Sequence, residues 1–148
     1  MSAWDYWKSL RPPERLLVVY AAWLLTVISI RLRLFGFGGL RARLSSVSSR
    51  SGQPLEDSPV RLTELVSKVA KRLPWKANCL ERSLTLAWLL RRRGHAPSLR
   101  IGVRRATGEL LFHAWIELDG LVLNDAPDVA DNFTPFSGET PPPTAAFL

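Results

Sequence analysis

The sequence predicts an α+β fold, helices first and an antiparallel sheet after them. Between Pro12 and Gly94 apolar residues recur as helices bury them, first in a continuous run and then in one-sided stripes. Beyond Gly94 the period changes to alternation in SLRIGVRR and ELLFHAWIEL, and LVLNDA follows the turn-forming pair Asp119 and Gly120. A chain of 148 residues, 47% of them hydrophobic, suffices for one core of ordinary size.

Pro12 and Pro13 open the first long helix, whose segment from Leu16 to Ile30, LLVVYAAWLLTVISI, is uncharged on every side. This run is shorter than the roughly twenty residues that cross a bilayer, so a core helix is the first reading. A membrane-surface segment is the second, because RLRLFGFGGLRARL follows and mixes arginines with large apolar residues; a transmembrane span is the third. Residues 1–44 are therefore read as an apolar, basic helical region. Residues 45–58, rich in Ser, read as a linker, residues 59–130 as the main core, and residues 131–148 as a proline-rich tail, loose or draped over the domain.

Within the core, Ser58 as cap and Pro59 at the first helical position start a helix with Leu62, Leu65, Val66, Val69 and Leu73 on one face, stopped by Pro74. Asn78 followed three residues later by Glu81 fits a capping box, so the next helix begins at Cys79 and ends at Gly94. Arg91, Arg92 and Arg93 fall in its last turn, where cations oppose the helix dipole. The alternating segments then predict a three-stranded antiparallel meander.

Charge is unevenly placed. Residues 1–105 hold all 20 Lys and Arg against 6 acids, a net +14, whereas residues 106–148 hold 7 acids and no Lys or Arg, leaving +7 overall. Such a basic face suits anionic lipid or an acidic partner; without an aromatic-basic recognition motif, nucleic acid is not expected. One cysteine excludes an internal disulfide and a multi-thiolate metal site, and two histidines add little, so neither metal nor cofactor is expected. A reducing, cytoplasmic location follows from the lone thiol and from an N-terminus unlike a secretory signal.

Cys79 is the candidate nucleophile, because the positive end of a helix dipole and unpaired amides at a first turn favour the thiolate. Of the histidines, His95 lies in a basic loop with no acid close behind it. His113, inside ELLFHAWIEL, has Asp125 on the following strand to fix its tautomer. Their meeting depends on register. A two-residue loop of Asp119 and Gly120 would oppose His113 to Ala126 and throw Asp125 to the other face. A three-residue loop from Leu118 to Gly120 would pair His113 with Asp125, Trp115 with Leu123 and Ile116 with Val122, so the longer loop is expected.

From Pro74 to Asp128, the CLERSLTLAWLLRRRG helix, the LRIGV strand, HAWIE and the ND pair after the DG turn resemble the transglutaminase-like cysteine peptidases that mature lasso peptides. The resemblance is to their stand-alone form. It implies a papain/transglutaminase-like core, with the nucleophile at a helix N-terminus packed on an antiparallel sheet. It also implies a triad of Cys79 as nucleophile, His113 as base then acid, and Asp125 as orienting residue. The Cys79 amide is one oxyanion donor, with Trp75 or Asn78 as candidates for the second. The implied reaction removes the leader peptide of a ribosomally made precursor. The implied partners are a separate leader-recognition protein and an ATP-dependent macrolactam cyclase. The residues leave two alternatives open: a transglutaminase-like acyltransferase, and a non-catalytic basic docking module for a precursor complex or a membrane surface.

Overall fold

A computed structural model describes residues 3–45 and 58–136. Helix α1 (Ala3–Ser9) precedes the long α2 (Pro12–Ser45), which kinks at Gly36, where φ is 68° and ψ −175°. Helices α3 (Pro59–Ala70) and α4 (Cys79–Arg92) follow, then strands β1 (Ser98–Ala106), β2 (Glu109–Leu118) and β3 (Leu121–Val122), helix α5 (Val129–Asn132) and strand β4 (Thr134–Pro135). The sheet has the order β3-β2-β1-β4, and the β3–β2, β2–β1 and β1–β4 pairs are all antiparallel.

The α2, α3 and α4 helices share one core with one face of the sheet. From α2 it takes Ala21, Leu24, Leu25, Ile28 and Leu32, from α3 Leu62, Leu65, Val66 and Val69, and from α4 Leu80, Leu84, Leu86 and Leu90; Ala114 and Ile116 come from β2. The N-terminal helix is thus built into the same core as the rest, joined also by Trp88 Nε1 donating to Tyr20 Oη (3.2 Å) and by an Arg61–Glu14 ion pair. Most of the expected linker, residues 46–57, lies outside the described residues.

Local chemistry sets the helix ends. Ser58 Oγ accepts from Arg61 N (3.2 Å) and Pro59 needs no amide partner, so α3 starts as expected. It ends at Ala70, short of Leu73. At α4 both halves of the capping box form: Asn78 Oδ1 accepts from Glu81 N (2.9 Å) and a Glu81 carboxylate oxygen accepts from Asn78 N (3.0 Å). Gly94, at φ 86°, follows the last turn.

Two expectations need correction. The β2–β3 register pairs Glu117 with Val122 and Leu118 with Leu121, so the loop is the two-residue one. Asp119 (φ 51°) and Gly120 (φ 80°) both occupy the left-handed region, as a primed turn demands; Asp tolerates it, and the turn matches strand twist. The sheet also has four strands, because residues 134–136 come back to β1. Gly102 pairs with Pro135 and Val103 with Thr134, and Phe136 N donates to Ile101 O (2.9 Å). Pro135 suits this position, since an edge strand does not need its amide. The start of the expected tail is therefore part of the fold, and residues 137–148 lie outside the described residues.

A second, smaller cluster of Trp115, Val129 and Phe133, with Val122 against it, covers the opposite face of the sheet. Gly102 makes room for it. A Cβ there would stand 2.6 Å from Phe133 Cβ and 3.0 Å from the Trp115 ring. Gly102→Ala is expected to lower the unfolding free energy by about 1–3 kcal/mol in urea titration, because Phe133 must be displaced.

Candidate active site

Side chains alternate along β2, and so do its backbone groups. The amides and carbonyls of the even-numbered residues point toward β3. Leu123 N donates to Ile116 O (2.9 Å), as a regular ladder requires. The answering bond is different: Ile116 N donates to the Asn124 side-chain Oδ1 (2.7 Å), where a continuing strand would offer a backbone carbonyl. The chain leaves the sheet there, and β2 has an open edge at Ala114.

Helix α4 fills that opening. Ser83 Oγ donates to Ala114 O (2.9 Å) and accepts from Asn124 Nδ2 (2.8 Å), which ties the helix, the strand and the departing chain together. One turn earlier, Cys79 brings its sulfur to the Ala114 amide, which belongs to the peptide bond that joins Ala114 to His113. The amides of Leu80 and Cys79 also favour a negative sulfur, being among those a helix leaves without internal partners at its start. The positive charge of Arg82 acts in the same direction.

Burial outweighs these effects and pushes the Cys79 thiol above its ordinary range; the residue is only 2% exposed. The helix start favours the thiolate as expected, but burial, which the sequence did not reveal, acts against it more strongly. The resting group is a thiol in a setting prepared for its anion.

His113 and Asp125 meet although the register expected to unite them does not occur. Once the chain has left the ladder after Val122, Asp125 is free to turn back over the edge, and its Oδ2 bonds His113 Nε2. Its other oxygen accepts from Ala126 N (2.8 Å), which holds the carboxylate in place. His113 Nδ1 is buried and has no hydrogen-bond partner among the described residues. The imidazole stacks on Phe133, with centroids 5.0 Å apart and planes at 27°, and Trp115 lies 6.2 Å away at 28°. Trp115 is fixed by its Nε1 bond to Glu117 (3.0 Å), and Glu117 is paired in turn with Arg100. A carboxylate grips one ring nitrogen, an aromatic wall sets the ring plane, and the other nitrogen is left over.

A family model described as the transglutaminase-like superfamily matches residues 22–138. The chain belongs to the transglutaminase-like superfamily. The matched span runs from within α2 through β4, so in the superfamily region the long helix and the return strand stand with the helix and hairpin that carry Cys79, His113 and Asp125. Among curated proteins, the microcin J25-processing protein McjB of Escherichia coli is 38% identical over 60 residues, which is 40% of this chain and 28% of that protein. The chain thus matches a little over a quarter of that relative's length. No solved structure gives a significant match.

The other candidates divide. Asn78 spends Oδ1 on the cap and retains its amide Nδ2 as a donor. Trp75 Nε1 is buried with no hydrogen-bond partner among the described residues. Reasoning from sequence missed Ser83, Asn124, Phe133 and Gly102. Ser83 stands one turn after Cys79 and Asn124 directly before Asp125, spacings that put them beside the site; Phe133 fell in a segment read as loose.

A buried thiol held above its ordinary range ionises late. The alkylation rate of Cys79 by iodoacetamide is therefore expected to keep rising as pH passes about 8.5, the free-cysteine value. A rate already level at pH 7 would contradict the dominance of burial over the amides and Arg82.

Proposed function

We propose that this chain is a cysteine peptidase that removes the leader peptide from a lasso-peptide precursor, with Cys79, His113 and Asp125 as its triad. The observation that carries the reading is the state of His113. One ring nitrogen is bound to a carboxylate, the other is buried with no hydrogen-bond partner among the described residues, and the next peptide amide lies against the only thiol in the chain. An imidazole oriented in this way can accept a proton at Nδ1 while Asp125 stabilises the cation that forms. Membership of the superfamily and the likeness to a microcin-processing protein support the same reading.

In the proposed reaction His113 Nδ1 takes the thiol proton as Cys79 Sγ attacks the scissile carbonyl carbon. The carbonyl oxygen becomes an oxyanion, for which the Cys79 amide is one donor, with Asn78 Nδ2 or Trp75 Nε1 as the second. Collapse breaks the C–N bond, and His113 returns its proton to the departing amine. Water, deprotonated by His113, then attacks the thioester; the leader leaves with a free carboxylate and the thiol is restored. Because the thiol is buried and reluctant to ionise alone, proton transfer accompanies attack. A lone thiol at the centre of this chemistry fits a reducing cytoplasm. The partners proposed are the precursor leader, a separate leader-recognition protein that delivers it, and an ATP-dependent cyclase that closes the macrolactam on the new amino terminus.

The test is cleavage of a precursor peptide by purified protein with its leader-recognition partner, followed by mass spectrometry. Cys79→Ala is expected to abolish cleavage, and His113→Ala to slow it by about 10²–10⁴-fold, each with an unchanged circular dichroism spectrum. Undiminished cleavage by either variant would contradict the triad. A leader ending in a free acid is expected; a leader joined to an added amine would assign acyl transfer instead.

A further inference from the structure

Large apolar side chains left in contact with solvent are concentrated on the N-terminal helices. On α2 these are Leu16 (75% exposed), Val19, Trp23 (58%), Ile30, Leu34 (69%) and Phe35. At 100° per residue, Leu16, Val19, Trp23, Ile30 and Leu34 fall within an arc of about 60°, and they span about 27 Å of helix. Their arc lies opposite Ala21, Leu25, Ile28 and Leu32, which pack against α3 and α4. Helix α2 is therefore apolar on two faces, one inside the core and one outside it.

The outer stripe has basic margins. On the same helical projection, Arg15 and Arg33 border it on one side and Arg31 on the other. Monomeric soluble proteins rarely leave such a contiguous apolar face uncovered. An apolar stripe with an exposed tryptophan between arginine borders has the chemistry of an interfacial helix.

We propose that the outer face of α2 docks this protein on an anionic membrane surface, lying along it. Crossing the bilayer is not the fit. The segment is long and apolar enough to span, but 33% of its apolar window is buried against the protein's own core, and that face cannot meet lipid while α3 and α4 stay packed on it. Lying flat, the stripe enters the acyl boundary and the arginines meet lipid phosphates. Arginine margins complement negative headgroups, and this charge match favours an anionic lipid surface as the occupant. Docking is independent of the cleavage reading, since none of the stripe residues belongs to the site around Cys79.

The experiment is co-sedimentation of the full chain with vesicles of phosphatidylcholine alone or with about 30% phosphatidylglycerol. Binding to the phosphatidylglycerol vesicles is expected, weakened by 0.5 M salt and by Arg31→Gln with Arg33→Gln. Trp23→Glu and Leu34→Glu are each expected to reduce it about tenfold, with Cys79 alkylation at the wild-type rate to show an intact fold. No sedimentation with either vesicle, equal sedimentation with both, or indifference to the two glutamate substitutions would overturn the proposal. So would a wild-type chain that ignores vesicles and forms dimers that Trp23→Glu dissolves, since that result assigns the stripe to protein contact.

Discussion

The site depends on where a strand stops. After Val122 the chain abandons the β2 ladder, and three backbone groups on one edge of β2 need other partners. The Asn124 carboxamide takes the Ile116 amide, the Ser83 hydroxyl takes the Ala114 carbonyl, and the Cys79 sulfur sits at the Ala114 amide. A buried amide or carbonyl without a partner costs about 1–3 kcal/mol, so these replacements hold the first turn of α4 firmly against the sheet. The same departure frees Asp125 from strand geometry and lets it reach a ring nitrogen that a regular register would deny it. A short strand thus lets a helix start reach the peptide bond that joins His113 to Ala114, and a carboxylate reach the His113 ring.

Placing the thiol this way sets two electrostatic effects against each other. Amides at a helix start and the charge of Arg82 favour the anion; the closed surroundings that make those amides effective also remove the water a thiolate would need. Burial prevails at rest. The arrangement suits a nucleophile whose charge develops during attack, because preorganised donors stabilise charge most where water is excluded. The aromatic wall contributes order. Phe133 can lie over His113 only because Gly102 has no side chain, and Phe133 is held there by the return of Thr134 and Pro135 to β1.

Much of the fold was legible because its signals are local. The caps of α3 and α4, the helix start at Cys79, the two alternating strands and the place of the turn at Asp119 and Gly120, though not its length, each rest on neighbours within a few residues. The pairing of His113 with Asp125 was also anticipated, but by a mistaken route. Matching of apolar residues favoured a register that would avoid opposing Trp115 to Asn124, and that conflict never arises, since Asn124 turns its side chain into the ladder. Whether a strand continues is decided by what replaces it, here Ser83 some forty residues earlier in the chain. Phe133 and β4 were hidden for a related reason: proline-rich composition argues against regular structure, yet two edge residues suffice to complete a sheet. The outer face of α2 was ambiguous because a run that is apolar all round cannot say which side the protein covers.

The proposed function rests on one statement, that Cys79 and His113 work as a pair across the open edge of β2. The direct measurement is cross-linking with 1,3-dibromoacetone, whose two electrophilic carbons flank a single carbonyl, followed by peptide mapping. The expected product bridges Cys79 Sγ and His113 Nδ1, the ring nitrogen that Asp125 leaves unbound. Alkylation of Cys79 with the second carbon hydrolysed or attached to any other residue, and His113 untouched, would contradict it.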